Sequence, residues 1–137
     1  MTSLTLNLLL QLAAANPVGH DYATAYRETM ETGRPLVVLI GAEWCPGCQQ
    51  MKQTAIPEVK RSGGLSKVAF SYVNYDQQGK LAQQLMQGSS IPQLIMYYKT
   101  ADGWQRQQLT GAQSAVAIQD FIGQATEAPV SQVSRRQ

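Results

Sequence analysis

The sequence predicts an α/β fold in which a central mixed β-sheet is flanked by helices on both faces. A continuous aliphatic run at residues 35–42 is typical of a strand buried on both sides. Segments with apolar residues at helical spacing precede and follow this run. Further along, two strand-like segments separated by residues 101–103 indicate a hairpin. Helices that alternate with strands, followed by a hairpin, predict both parallel and antiparallel pairing.

The first helix and the first strand are bounded by clear local signals. Asp21 can cap a helix in which apolar residues recur at helical spacing, and Gly33 and Pro35 should end it. The aliphatic run then forms the first strand and leads directly to Trp44 and Cys45. The strand therefore delivers the first cysteine to one edge of the sheet.

A second helix is predicted to start at Pro46, which suits a first helical position. It continues to Pro57, where a helix must end, kink or restart. Cys45 and Cys48 therefore lie at a strand-to-helix junction, beyond the carboxyl end of a central strand. In open α/β sheets, that is where chemistry is usually located.

The remaining elements are the other three strands of the sheet and two more helices that cover it. Four apolar residues of the last helix should point inward: Ala115, Ile118, Phe121 and Ile122. In chain order we predict a strand at residues 67–76, a helix at 79–87, strands at 93–99 and 104–109, and a helix at 114–122.

The domain organisation is predicted as an N-terminal segment (residues 1–20), one domain (21–126) and a flexible tail (127–137). Residues 4–15 have the length of a signal-peptide core, but no Lys or Arg precedes them. Two interpretations stay open. A cleaved signal peptide slightly favours a periplasmic protein, whereas a docking helix favours a cytoplasmic one.

Composition excludes several classes of protein. Of the 137 residues, 44% are apolar and 15% are charged, which is not the composition of a disordered chain. The net charge is +2 and the basic residues are scattered, so nothing indicates a nucleic-acid partner. No apolar run reaches the length that spans a bilayer. We expect a globular protein that acts as a monomer.

The two cysteines of the chain are three positions apart, with two residues between them, in a pattern that favours redox chemistry. Residues three apart on a helix have Cβ atoms about 5–6 Å apart, so a tightened first turn can close a disulfide. The helix N-terminus stabilises the thiolate of Cys45, while Cys48, one turn inside, should be more buried. We expect Cys45 to be reachable from solvent, and Gly47 to let another chain approach closely.

These positions assign a role to each cysteine. Cys45 attacks a partner disulfide, and Cys48 then attacks Cys45 to release the reduced partner. A structural zinc site needs four ligands, and the chain offers only these two sulfurs and a distant His20. A disulfide that closes so small a loop adds little stability. His20 as a catalytic base is also poorly supported, and we predict no metal and no cofactor.

The Trp-Cys-Pro-Gly-Cys motif after a buried strand, together with Pro92 directly before the next strand, resembles the thioredoxin superfamily. The resemblance covers roughly residues 21–124. It implies a cis Ile91–Pro92 peptide that faces the cysteines, with the Ile91 backbone pairing to the substrate chain. It also implies that Trp44 shields the sulfurs and contributes to docking, together with Pro46 and Gly47, and that Gly111 borders the substrate groove.

The chain also departs from the family pattern. Thioredoxins proper carry Gly-Pro between the cysteines, whereas here Pro46 precedes Gly47. The family's buried aspartate corresponds to Leu39, and its lysine to Tyr72. No side chain is therefore assigned to take the proton of Cys48, and water or a substrate group is the alternative. The junction is more similar to thioredoxin-like domains of bacterial envelope redox proteins.

Two functions follow from the resemblance. The first is a thiol-disulfide oxidoreductase that acts on protein thiols and exchanges electrons with an unknown donor or acceptor. The second is a thioredoxin-like binding module in which the cysteines act as a redox-sensitive latch. The altered positions 39 and 72 favour the module, and the intact helix-start geometry favours the enzyme.

Overall fold

The computed structural model describes residues 19–126, so the predicted N-terminal segment up to residue 18 and the predicted tail lie outside it. Within the described residues, no helix is long and apolar enough to cross a membrane. The elements are α1 (Tyr22–Thr32), β1 (Leu36–Gly41), α2 (Pro46–Gln50), a π-helical segment (Met51–Ala55), α3 (Ile56–Arg61), β2 (Ala69–Asn74), α4 (Gly79–Leu85), β3 (Gln93–Thr100), β4 (Gly103–Thr110) and α5 (Ala115–Thr126).

The four strands form one mixed sheet in the order β2-β1-β3-β4. β1 runs parallel to β2 and antiparallel to β3, and β3 and β4 form the predicted hairpin. Every residue of β1 is buried, as the aliphatic run predicts for a central strand. The predicted fold class is therefore confirmed.

Side chains of the sheet alternate between two hydrophobic layers. Val37 and Leu39 pack on one face against the π-helical segment, α3 and α5. Leu36, Val38 and Ile40 pack on the other face, against α1 and α4. Because successive residues of a strand point to opposite faces, a strand that is apolar throughout requires helices on both sides.

The first helix has the predicted boundaries. The carboxylate of Asp21 accepts a hydrogen bond from the Thr24 N–H at 3.2 Å. The Thr24 side chain, followed by this backbone N–H, lowers the pKa of Asp21 below its ordinary value. Gly33 closes the helix in the left-handed conformation, at φ 77°. A residue with a side chain is disfavoured there, which explains the glycine.

The second helix continues past Pro57 through a local change of geometry. Between α2 and α3 the chain widens to a π-helix at Met51–Ala55, in which the Ile56 N–H bonds to the Met51 carbonyl. Proline lacks an N–H, and its ring clashes with the carbonyl four residues before it. After the wider turn, α-helical geometry restarts at Ile56, with Pro57 in the first turn of α3. A restart is one of the three outcomes predicted for this position.

Several boundaries differ from the predicted ones. β2 and α4 are shorter than expected, and α5 extends four residues further, to Thr126. The hairpin turn contains Ala101 and Asp102 alone, because Gly103 at φ 105° is already paired with Thr100. All four apolar residues predicted to point inward from α5 are buried.

Candidate active site

Cys45 lies at the junction between β1 and α2, as predicted. The strand ends at Gly41, a short turn follows, and Cys45 is the N-cap of the helix that starts at Pro46. Its backbone is extended, at φ −98° and ψ 111°, and its sulfur takes the position of a capping group. The side chain of an N-cap residue points toward the free amide groups of the first helical turn.

The two cysteines form a disulfide, with Cα atoms 5.2 Å apart. The Cys48 N–H donates a hydrogen bond to the Cys45 sulfur at 3.2 Å. Cys48 is completely buried, whereas Cys45 keeps 7% of its surface exposed. Cys48 is the more buried of the two, as predicted, but the expectation that Cys45 is open to solvent is wrong: Cys45 is also buried, because it packs with Ala42, Cys48 and Ile91. Of the two cysteines, Cys45 alone keeps some exposed surface.

Gly41 provides the space that the buried cysteine occupies. A Cβ atom added there would lie 2.8 Å from the Cys48 Cβ and 3.2 Å from its sulfur. The same position is 3.4 Å from a ring carbon of Tyr72. A side chain at Gly41 would therefore collide with the disulfide, a constraint that the sequence-based reasoning did not identify. Glycine at the end of a strand is the available signal, since it often marks close approach.

The loop before β3 brings two predicted residues, Ile91 and Pro92, to the disulfide, and Gly111 joins them from the end of β4. The Ile91–Pro92 peptide is cis, and the Ile91 carbonyl oxygen lies 3.9 Å from the Cys45 sulfur. The Gly111 N–H donates to the Pro92 carbonyl at 2.8 Å. A Cβ added at Gly47 would lie 3.6 Å from Pro92 and 3.4 Å from Ala112. Ala112 belongs to the same surface and was not predicted.

Trp44 lies on the surface beside the disulfide. It is 66% exposed, which rules out core packing as the reason for a large aromatic residue here. Its indole Nε1 donates to the Asp76 carboxylate at 2.8 Å. The Asp76 backbone N–H in turn donates to the Asn74 side chain at 2.9 Å. The indole is thus held by a turn that follows β2, and Asp76 is a second contributor that the sequence did not reveal.

Asp76→Ala is expected to release the Trp44 indole, because the hydrogen bond that orients the ring is lost. In a Trp104→Phe background, Trp44 is the only tryptophan, and we expect its fluorescence anisotropy to fall. Asp102→Ala, an exposed change in the hairpin turn, is the matched control. Equal anisotropy in the two alanine variants would show that the bond does not fix the ring.

An ion pair between Lys52 and Glu43 lies beside the ring of Tyr72. The Lys52 ammonium lies 3.1 Å from a Glu43 carboxylate oxygen and 4.5 Å from the centre of the Tyr72 ring. Burial raises the pKa of Tyr72, and the Glu43 and Asp76 carboxylates raise it further. The Tyr72 hydroxyl is buried without a hydrogen-bond partner. Because this phenol stays protonated at neutral pH, it is not a base for Cys48.

Other candidates are not brought to the site. Leu39 is fully buried in the core and pairs with Tyr72 across β1 and β2, so the family's acidic position is apolar here. His20 is exposed and bridges to Ser71 on β2. Among residues 19–126, no three His, Cys, Asp or Glu side chains are grouped as they would be around a metal ion.

Comparison with known proteins identifies the family and the fold. A thioredoxin-like family model matches residues 16–99. A thioredoxin from Thermus thermophilus is 22% identical with a TM-score of 0.64, and the match covers 80% of this chain and 87% of that one. A thioredoxin from Trichomonas vaginalis is 24% identical with a TM-score of 0.61, and the match covers 80% of this chain and 98% of that one. A chloroplastic thioredoxin z is 18% identical with a TM-score of 0.66, and the match covers 82% of this chain and 97% of that one. No curated protein matches the chain significantly. A cysteine pair at disulfide distance in this fold supports thiol-disulfide redox chemistry.

Proposed function

Because the chain belongs to the thioredoxin-like family, we propose that it is a thiol-disulfide oxidoreductase that exchanges its Cys45–Cys48 pair with protein substrates. The observation that carries the proposal is the Cys45 sulfur at a helix start, bonded to the Cys48 N–H and joined to the Cys48 sulfur. A hydrogen bond to the sulfur favours its charged form. Residues 21–126 form the domain that performs the reaction.

The first step consumes a substrate disulfide. The Cys45 thiolate of the reduced protein attacks one substrate sulfur, the substrate S–S bond breaks, and a mixed disulfide forms. The departing substrate thiolate takes a proton from solvent. Cys45 is the attacking residue because it alone of the pair keeps exposed surface.

The second step releases the substrate. Cys48 loses its proton, its thiolate attacks the Cys45 sulfur, and the mixed disulfide breaks to give the second substrate thiol. Two electrons have then passed from the protein to the substrate, and the second substrate sulfur, like the first, leaves as a thiolate and is protonated from its surroundings. The product is the internal disulfide of the present structure. A dithiol reductant returns the pair to its starting state, and a substrate dithiol is oxidised when the steps run in reverse.

The proton of Cys48 passes to water or to a substrate group. Tyr72 is held in its protonated form, and Glu43 is engaged with Lys52 and Gln49. Leu39 offers no acid or base at the family's position. Since we assign no base beside the buried sulfur among residues 19–126, we expect the second step to limit the rate.

The substrate chain binds at the surface around Cys45, which keeps 7% of its own surface exposed. Trp44, Pro46 and Gly47 form one side of this surface, and Ile91, Pro92 and Gly111 form the other. Gly47 has no side chain to block a backbone that approaches the Cys45 sulfur. The backbone of Ile91, whose carbonyl is 3.9 Å from that sulfur, can pair with the client as an added strand does.

The test is reduction of insulin disulfides by the wild-type protein in the presence of dithiothreitol. We expect turnover well above that of dithiothreitol alone, and none after the reduced protein is alkylated with iodoacetamide, because alkylation blocks the nucleophilic sulfur. The equilibrium constant against glutathione, measured on the same sample, sets the direction of electron flow. A protein that neither reduces a disulfide substrate nor oxidises a dithiol substrate is a binding module instead, the function that Leu39 and Tyr72 favour.

A further inference from the structure

Gln93 is a fully buried amide directly after Pro92, at the first position of β3. Its Nε2 group donates to the carbonyl oxygens of Gln87 at 3.0 Å, Gly88 at 3.2 Å and Ser90 at 3.0 Å. Its Oε1 atom accepts from the Gln87 N–H at 3.3 Å. Both ends of the amide are used, so one side chain bonds four of the eight backbone N–H and C=O groups of residues 87–90.

Two side chains of β4 hold the same loop from the other side. Arg106 donates to the Leu85 carbonyl at 2.8 Å, which fixes the end of α4. Gln108 donates to the Gln87 carbonyl at 3.0 Å, and its Oε1 accepts from Arg106 at 2.6 Å. Both residues are half-buried, whereas Gln93 is completely enclosed. The central support of the loop is therefore Gln93.

The loop that Gln93 holds carries a backbone group that lies close to the reactive sulfur. It ends on Ile91, whose carbonyl oxygen is 3.9 Å from the Cys45 sulfur. A backbone that pairs with a client chain must keep its position and direction, since misplacement by about 1 Å costs up to a hundredfold in rate. A loop without regular structure keeps its path only where its polar groups are bonded.

We propose that Gln93 is a positioning residue for substrate: by bonding residues 87–90 it fixes the Ile91 backbone where an extended protein chain can pair with it. This inference rests on the proposed oxidoreductase function and identifies the substrates as extended polypeptide segments. A small disulfide has no backbone to pair, so its reaction with Cys45 does not depend on Gln93.

The test compares a protein substrate with a small one. In Gln93→Met, a side chain of similar length that cannot hydrogen-bond, we expect insulin reduction to slow about tenfold, as expected for a misplaced binding group. The rate of the reduced protein with 5,5′-dithiobis(2-nitrobenzoate) should change less than about twofold, because that reagent meets only the sulfur. Val59→Ala, a buried change in α3, controls for general loss of stability and should leave the ratio of the two rates unchanged.

Gln108→Leu is a second variant for the same comparison of substrates, for use if Gln93→Met does not fold. It removes one bond to the same loop from a half-buried position, and we expect insulin reduction alone to slow about threefold, in line with the loss of one hydrogen bond. Equal slowing of both substrates, or no slowing of either, in the variant that folds would overturn the role of Gln93. Failure of the wild-type protein with both substrates would instead overturn the proposed function.

Discussion

Replacing Cys45 with serine is expected to reduce insulin turnover to below about one thousandth of the wild-type rate, because the attacking thiolate is lost. A serine hydroxyl at a helix start does not ionise at neutral pH and cannot form a disulfide. Cys48 cannot take over, since it is completely buried. The measurement is insulin reduction in dithiothreitol, with circular dichroism to show that the variant is folded.

Cys48→Ser is the matched variant and should stop the reaction at a different point. The Cys45 thiolate still attacks, but no second sulfur is present to break the mixed disulfide. We therefore expect covalent adducts with substrate that mass spectrometry detects and dithiothreitol removes. Adducts that form on Cys48 in the Cys45→Ser protein, and not in this one, would reverse the assigned roles.

Gly41→Ala is the second change with a large expected effect. The added methyl group would lie 2.8 Å from the Cys48 Cβ, closer than such atoms approach, so β1 or α2 must shift. Overpacking of this kind costs about 1–3 kcal/mol in the free energy of unfolding. The same shift moves the Cys45 sulfur away from Ile91, and insulin reduction should slow by about tenfold or more.

Gly79→Ala is the control for the loss of a glycine. Gly79 begins α4, and no atom lies within 4 Å of an added Cβ. Alanine favours a helix over glycine, so this variant should be as stable as the wild type or slightly more stable. Urea unfolding of both variants makes the comparison. If Gly41→Ala unfolds at the wild-type urea concentration, the contact with Cys48 is not tight.

The sequence was sufficient for the parts of the fold that depend on local patterns. The aliphatic run at residues 35–42 identified the central strand, and Asp21 and Gly33 identified the ends of α1. The position of the cysteines followed from that strand and from Pro46. Each of these predictions rests on residues close together in the chain, where hydrophobic period and capping chemistry act directly.

Long-range contacts could not be predicted in this way. Asp76 bonds to Trp44 across 32 positions, and nothing near either residue indicates the pair. From the sequence, Gln93 is a polar residue at the start of a strand, where exposure is expected. In the structure it is completely buried, because the loop before it folds back over its amide. The π-helical segment likewise depends on Pro57 and on the packing of Met51 in the core.

The unequal burial of the two sulfurs has a consequence for chemical damage. Peroxide and alkylating agents react with the thiolates of the reduced protein, and we expect them to reach Cys45 first, because Cys48 is the completely buried residue of the pair. A sulfenic acid formed on Cys45 has Cys48 as its immediate neighbour, and a thiol at that distance condenses with it to give the disulfide and water. The enclosed sulfur thus protects its partner against irreversible oxidation.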